Sequence, residues 1–496
     1  MLTKFMFTLH RILGTLLSVL FFIWFVSGIV MIYHQFPSAN HDEKMVKQET
    51  LLSNLPSIES IEKRLPTNAK IKQIRLSNNL GQSVFEIVAG EDTIKLPADS
   101  TQQLAIIDGL YIRKAAEQWC SSPVACIDTL YDLEQWIPFG RLRNDLPIYK
   151  FHFADKALTQ VYVSSHSGEV LQCTNRHERI WAWVGAIPHW VYFTRLRQDV
   201  ELWKKTIRWL AGIGSIMVID GLYIGIYTCI NSRKKNTKYS PYKNKWYYWH
   251  HIMGLFFGLF ALTWAFSGMM SLTDTPQWLG KEHVKHNIKR FMQKEAPSPE
   301  SFQIDYRDLI SAYNGTVTSV EWSHFHHIPV YKVECGVQKL YIDASSKKIR
   351  PLNLTKRQAI EAVNIINNKP IQQVTWLTDY DTYYTKNKKQ LQSLPVWRIN
   401  INDADHSCYY INPKTGSIRD YNTHRRWGFW IYQGLHGLNF KWLVAHHILW
   451  TIVMWVLLLG GSILSFTGII LGIKYIIRLF KRNTKSRDRH YNRNHE

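Results

Sequence analysis

The chain has 496 residues, 46% of them hydrophobic and 20% charged, and its mean hydropathy lies below zero. That excludes a protein made of membrane alone, so apolar spans must alternate with sizeable soluble parts. Sixty basic and 38 acidic side chains give a formal net charge of +22; with no nucleic-acid motif present, the charge reads as membrane topology.

The first apolar stretch, from His10 to Ile32, reads HRILGTLLSVLFFIWFVSGIVMI. It is too long for a signal-peptide core and has no small-residue cleavage site, so it is expected to stay as an anchor. The stretch from His250 reads HHIMGLFFGLFALTWAFSGMMSL. A shift of 240 carries His10 onto His250, Gly14 onto Gly254, Trp24 onto Trp264 and Ser27-Gly28 onto Ser267-Gly268. Both are long enough to cross a bilayer, which takes about 20 residues. Spans are expected at roughly 10–33, 207–230, 250–273 and 445–475.

Between spans two and three lies a short loop with Arg233, Lys234, Lys235, Lys238, Lys243 and Lys245. The tail carries Lys481, Arg482, Lys485, Arg487 and Arg489. Short basic segments stay in the cytoplasm, so both termini are expected inside. Tryptophan is abundant, and Trp203, Trp209, Trp246, Trp249 and Trp442 sit near span ends as an interfacial belt would.

The long inserts after spans one and three then face the far side, the periplasm of a Gram-negative cell. LPIYKFHFADKALTQVYVSSHSGEV (146–170) matches LPVWRININDADHSCYYINPKTGSI (394–418) at a shift of 248. Alternating apolar residues ending in S-G or T-G turns read as hairpin strands. VFEIVAG (84–90) and VYKVECG (330–336) read as an earlier strand pair, with helices at IIDGLYIRKAAEQW and TKRQAIEAVNII. Each insert is expected to hold two small α+β units in tandem. Cys120 and Cys126, in WCSSPVAC, are the one place where a local disulfide fits; Cys229 and the rest read as free thiols.

HERIWAWVGAIPHW (177–190) matches HRRWGFWIYQGLHG (424–437) at a shift of 247, which sets His189 on His436, Arg179 on Arg426 and Trp183 on Trp430. The same shift pairs Gly214-Ser215 with Gly461-Ser462, Gly221 with Gly468 and Gly225 with Gly472. The chain reads as two copies of helix, outer domain, helix. Such proteins often place their site at the repeat interface. Expected divisions are 1–33, span one; 34–177, outer domain one; 178–230, interfacial segment and span two; 231–249, basic loop. The second half divides into 250–273, span three; 274–424, outer domain two; 425–478, interfacial segment and span four; and 479–496, basic tail.

Four histidines thus share a register: His10 and His250 at the inner ends of spans one and three, His189 and His436 on the outer side. Ionisable groups near hydrocarbon are costly and usually functional. Neutral imidazole suits iron, including haem iron, so a pair at each face would ligate two b-type haems. No CxxCH motif provides covalent attachment. The plain alternative for His10 is a flank residue snorkelling beside Arg11. His251 is an alternative to His250, and His446 or His447 to His436. His34 ends span one, but its counterpart is Asp274. Arg11, Arg179 and Arg426 are candidate partners for haem propionates. Trp24 and Trp264 read as core packing or as an aromatic bridge; Gly28, Gly268, Gly221 and Gly468 read as close helix contacts. His324, His326 and His327 read as a solvated loop.

On the LHRILG…SG opening, the R…W…H segment before each second span, and YVSSHSGEV and YYINPKTGSI, the chain resembles the PepSY-associated transmembrane family. Its two-fold layout is similar to inner-membrane ferric-siderophore reductases, which hold two haems and periplasmic PepSY domains. The resemblance implies haem ligation at His10, His250, His189 and His436. It implies an oxidoreductase that passes electrons from a cytoplasmic reductase or membrane quinol to Fe(III) in a siderophore or other chelate. The fold class expected is a four-helix membrane bundle with a two-fold internal repeat and two periplasmic α+β PepSY-like domains. Two other classes are a membrane-anchored PepSY regulator or assembly factor without redox activity, and a haem or metal transporter. For transport, spans one to three have few polar groups beyond Asp220.

Overall fold

A computed structural model of the chain describes residues 1–39, 41–52, 54–65, 71–234, 240–273, 276, 288, 291, 298–385 and 393–493, the side chains of 41 and 482–493 excepted. Lys235, Lys238 and Asp274 lie outside these residues, as do the side chains of Arg482, Lys485, Arg487 and Arg489.

Four helices are long and apolar enough to cross a membrane: Leu2–Met31, Val200–Lys234, Lys245–Met270 and His447–Lys481. They form a ring in which span one packs on four, four on three, three on two and two on one. Spans one and three therefore stand diagonally and meet through side chains, such as Phe25 and Trp264 with ring centres 5.8 Å apart. Glycines let large rings in. A Cβ on Gly214 would stand 2.7 Å from the Phe21 ring, and one on Gly461 would stand 2.6 Å from the Phe25 ring.

The first insert carries β1 (Ile71–Asn79), β2 (Gln82–Ala89), β3 (Asp92–Pro97), β4 (Val124–Leu130), β5 (Ile148–Phe153), β6 (Gln160–Ser164) and β7 (Val170–Thr174). The second carries β8 (Ser319–Phe325), β9 (Ile328–Cys335), β10 (Gln338–Asp343), β11 (Arg350–Pro351), β12 (Ile371–Leu377), β13 (Val396–Ile401), β14 (Cys408–Ile411) and β15 (Ile418–Tyr421). The two predicted helices form as Gly109–Glu117 and Lys356–Ile366. Each has a side-chain N-cap, Asp108 on the Tyr111 N–H and Thr355 in a capping box with Gln358.

Strands β4-β5-β6-β7 make one antiparallel sheet and β12-β13-β14-β15 another of the same order. Their β5–β6 and β13–β14 turns are closed alike: Asp155 accepts from the Thr159 N–H at 2.7 Å, and Asp403 from the Ser407 N–H at 2.7 Å. The remaining strands do not stay within their inserts. They join in one seven-stranded sheet, β11-β10-β9-β8-β1-β2-β3, through an antiparallel β1–β8 pairing with Leu76 opposite Val320. Reading each insert as two self-contained units did not foresee this seam. A shared core spans the seam, with Phe85, Trp322, Tyr306 and Tyr331 packed together, and Arg75 reaches Glu334 at 3.0 Å across it. Trp322 is 2% exposed at its centre. Trp322→Ala is expected to cost about 3–5 kcal/mol, read as a lower thermal midpoint of the sheet domain in detergent.

Cys120 and Cys126, the one place where a local disulfide fits the sequence, are both free thiols. A bulge between Val124 and Cys126 explains the separation. It breaks the two-residue alternation, so Val124 packs with Cys120 on the core while Cys126 emerges on the exposed side.

Candidate functional site

The repeated histidines come together in two facing pairs. His10 and His250 have ring centres 6.2 Å apart, near the basic-loop end of the bundle. His189 and His436 have centres 6.3 Å apart at the end that carries the inserts. A metal–imidazole bond of about 2.0–2.1 Å, with each nitrogen about 1.1 Å from its ring centre, sets two rings on opposite sides of one ion about 6.3 Å apart. Both pairs have that spacing.

Hydrogen-bond chemistry assigns the tautomer of each ring. His10 Nδ1 lies 3.1 Å from the Met217 carbonyl oxygen, which can only accept, so Nδ1 carries the proton. His189 Nδ1 lies 3.2 Å from the Trp24 carbonyl oxygen and 3.1 Å from Ser27 Oγ. Ser27 donates its own hydroxyl proton to Trp24 O, so its oxygen accepts from the ring. His436 Nδ1 meets Ser267 Oγ at 3.0 Å, and Ser267 donates to Trp264 O. His250 Nδ1 meets Thr467 Oγ1 at 3.0 Å, and Thr467 donates to Leu464 O. In all four, Nδ1–H is held by the protein and Nε2 keeps its lone pair for a metal.

Each pair borders a cavity of ligand size. The loop-end cavity measures about 420 Å³ and is lined by His10, Arg11, Ser18, His250, His251, Tyr475 and Arg478, among others. The insert-end cavity measures about 640 Å³, with Trp24, Gly28, His189, Trp264, Tyr432 and His436 in its wall. Phe21, Phe25 and Ala261 belong to both walls. The lining is mainly apolar, with polar groups few and converging, the composition of a cofactor or small-molecule site.

The four repeated glycines have a more local role than helix contact. Cε1 of His10 would lie 2.6 Å from a Cβ on Gly221, and Cε1 of His250 would lie 3.4 Å from one on Gly468. Gly28 and Gly268 stand in the same relation to His189 and His436, at 3.6 and 3.8 Å. Each glycine is the floor on which one imidazole lies. Indoles hold the outer pair's backbone: Trp203 donates to Trp190 O at 2.8 Å and Trp450 to Gly437 O at 2.9 Å. Trp264 donates to His436 O itself at 3.0 Å, and Tyr432 stacks on the His436 ring. Ser27, Ser267 and Thr467 were missed as site residues. The shift that carries Ser27-Gly28 onto Ser267-Gly268 is the signal that points to the first two.

Other expected residues go elsewhere. His251 lines the loop-end cavity, but its Nε2 donates to Gly225 O at 2.9 Å; His250 is the ring opposite His10. His446 and His447 are exposed and line neither cavity. Arg11 stays at the loop-end cavity, its guanidinium 5.3 Å from the Tyr475 ring centre. Arg179 and Arg426 are not among the residues lining the insert-end cavity. Arg179 binds Thr174 and the Leu158 carbonyl, and Arg426 the Asp405 and His406 carbonyls, so both clamp a sheet to its following helix. Of the histidine trio, His326 and His327 form the two-residue turn between β8 and β9.

No protein-family model matches the chain, and no curated protein matches it at a significant level.

Proposed function

We propose that the chain is a b-type dihaem membrane protein that carries electrons across the bilayer to Fe(III) held in a chelate, a siderophore being the expected form. The observation that carries this reading is the pair of facing imidazole sets, each ring with Nδ1–H engaged and Nε2 left for a metal. His10 and His250 would hold one haem, and His189 and His436 the other. Bound haem would supply one-electron Fe(III)/Fe(II) exchange.

The remaining work falls to the chain's own residues. The Met217 and Trp24 carbonyls, with Ser27, Ser267 and Thr467, orient the rings and raise their basicity as ligands. Arg11 and Arg478 offer cations for acidic groups at the loop end. The apolar walls would keep water from a haem held there, and burial of this kind tunes potential. Phe21 and Phe25 bound both cavities, which would keep two bound haems close and separate. Fe(II) is held less firmly than Fe(III) by hard oxygen ligands, so reduction loosens an oxygen chelate.

The reading of the chain as a duplication with PepSY-like outer modules draws support from the matching order of the β4–β7 and β12–β15 sheets. The basic loop end is assigned to the cytoplasm on the positive-inside rule and the inserts to the periplasm of the inner membrane. The donor is then a cytoplasmic reductase or membrane quinol. The test is an absorption spectrum of purified protein, oxidised and then reduced with dithionite. Sharp low-spin b-type bands and two haems per chain are expected. A haem-free protein overturns the reading in favour of an anchored regulator.

A further inference from the structure

We propose that Cys126, Asp128 and His152 form a second metal site, at the exposed margin of the β4–β7 sheet face that also carries Lys150 and Tyr162, for a divalent transition ion of the Zn²⁺ type. It is independent of the haem reading. The thiol, the carboxylate and the imidazole each offer one ligand atom, and these lie within 4.8 Å of one another. Tetrahedral Zn²⁺ with bonds of about 2.0–2.3 Å spaces its ligands about 3.3–3.8 Å apart. The side chains need to close by only about an ångström.

Strand geometry puts the three together. Cys126 lies directly opposite His152 on adjacent antiparallel strands, and such side chains start about 4.5–5.5 Å apart at Cβ. Asp128 is two residues along β4 and shares the face. The β4–β5 bulge that turns Cys126 away from Cys120 is what delivers its sulfur to this face. Asp128 faces Lys150 across the strands, but Lys150 pairs with Glu134 at 2.9 Å. The carboxylate instead meets His152 Nε2 at 2.8 Å. Gln160, opposite His152 on β6, meets its Nδ1 at 3.3 Å and orients the ring. A metal-bound imidazole would carry its proton on Nδ1, and the Gln160 amide accepts it by turning its oxygen inward.

The other four-stranded sheet shows that the fold does not require these residues. Its bulge falls between Ile371 and Gln373, and Gln373 then lies opposite Asn400, with their amides 3.3 Å apart. The rung that holds Cys and His in one sheet holds two amides in the other, and Thr375 stands where Asp128 stands. Thiolate and imidazole together select a borderline ion over Ca²⁺ or Mg²⁺. Three protein ligands leave a fourth position open to water or an incoming ligand. Binding releases the thiol proton, while the imidazole proton that lies between His152 and Asp128 passes to Nδ1, facing Gln160.

The test uses full-length protein in detergent, stripped with chelator and titrated with Co²⁺ and then Zn²⁺ against a chromophoric competitor. Wild type is expected to bind Co²⁺ with a thiolate-to-metal charge-transfer band, which Zn²⁺ bleaches. Cys126→Ser is expected to abolish the band, and His152→Asn to abolish tight binding with the fold intact, as Asn400 holds that rung elsewhere. Gln160→Leu is expected to weaken binding by about 10–100-fold. A band absent from wild type, or retained in Cys126→Ser, overturns the site. So does a Cys120–Cys126 disulfide found by mass mapping of the purified protein.

Discussion

On the proposed dihaem reading, His250→Ala is expected to remove one haem and leave the other in place, so the reduced b-type absorbance falls by about half. The expectation follows from the pairing. His250 has one facing partner, His10, at 6.2 Å, and the outer pair stands on a separate cavity. Ligands that act as a unit are not additive. The His10→Ala, His250→Ala double variant is therefore expected to lose no more than the single one, whereas His250→Ala with His436→Ala loses both haems. His251→Ala and His447→Ala are the controls. Neither ring faces a partner across a cavity, and both variants should keep full haem content. Pyridine haemochrome content per chain measures all of this. Unchanged haem in His250→Ala would sink the loop-end assignment.

Alanine at the four glycines is expected to displace haem in the order of the space each imidazole has. Gly221→Ala puts a methyl group 2.6 Å from His10 Cε1, closer than Cβ atoms come to anything, so the ring must move. It cannot move without losing the Met217 carbonyl or tilting Nε2 off axis. Loss of the loop-end haem, or its conversion to a high-spin form, is the expected result. Gly468→Ala, at 3.4 Å from His250 and 3.3 Å from Ser18, should weaken the same haem without removing it. Gly268→Ala, at 3.8 Å from His436, should be nearly silent. Helix propensity improves by about 1 kcal/mol in every case, so an unfolded protein is not the expected outcome. Reduced spectra and thermal midpoints read together separate a moved ligand from a lost fold.

The spans and the paired histidines were legible because both rest on local pattern. A run of about 20 apolar residues identifies itself, and a shift of 240 or 247 puts imidazoles at matched points whatever surrounds them. The partners of those rings were harder. Met217 contributes a carbonyl, which no side-chain pattern reports. Thr467 stands in the register position of Asp220, so the repeat itself hid it. The carbonyl partners of Arg179 and Arg426 were out of reach for the same reason, since a guanidinium beside a span serves a carbonyl as well as a propionate. The seven-stranded sheet was beyond reach for a different reason. Alternation shows that β1 and β8 are strands with one apolar face, yet it says nothing of which edge each one finds.

That shared edge bears on how such a chain can arise. An antiparallel pairing between β1 and β8 relates its two flanks by a local two-fold axis. Two separate copies of a half-length chain can close the same edge as readily as two halves joined by the basic loop between spans two and three. Gene fusion would then have turned a symmetric pair into a single polypeptide, after which each half was free to change alone. If the chain arose in that way, the Cys–His rung in one four-stranded sheet and the amide rung in the other would be a record of that freedom.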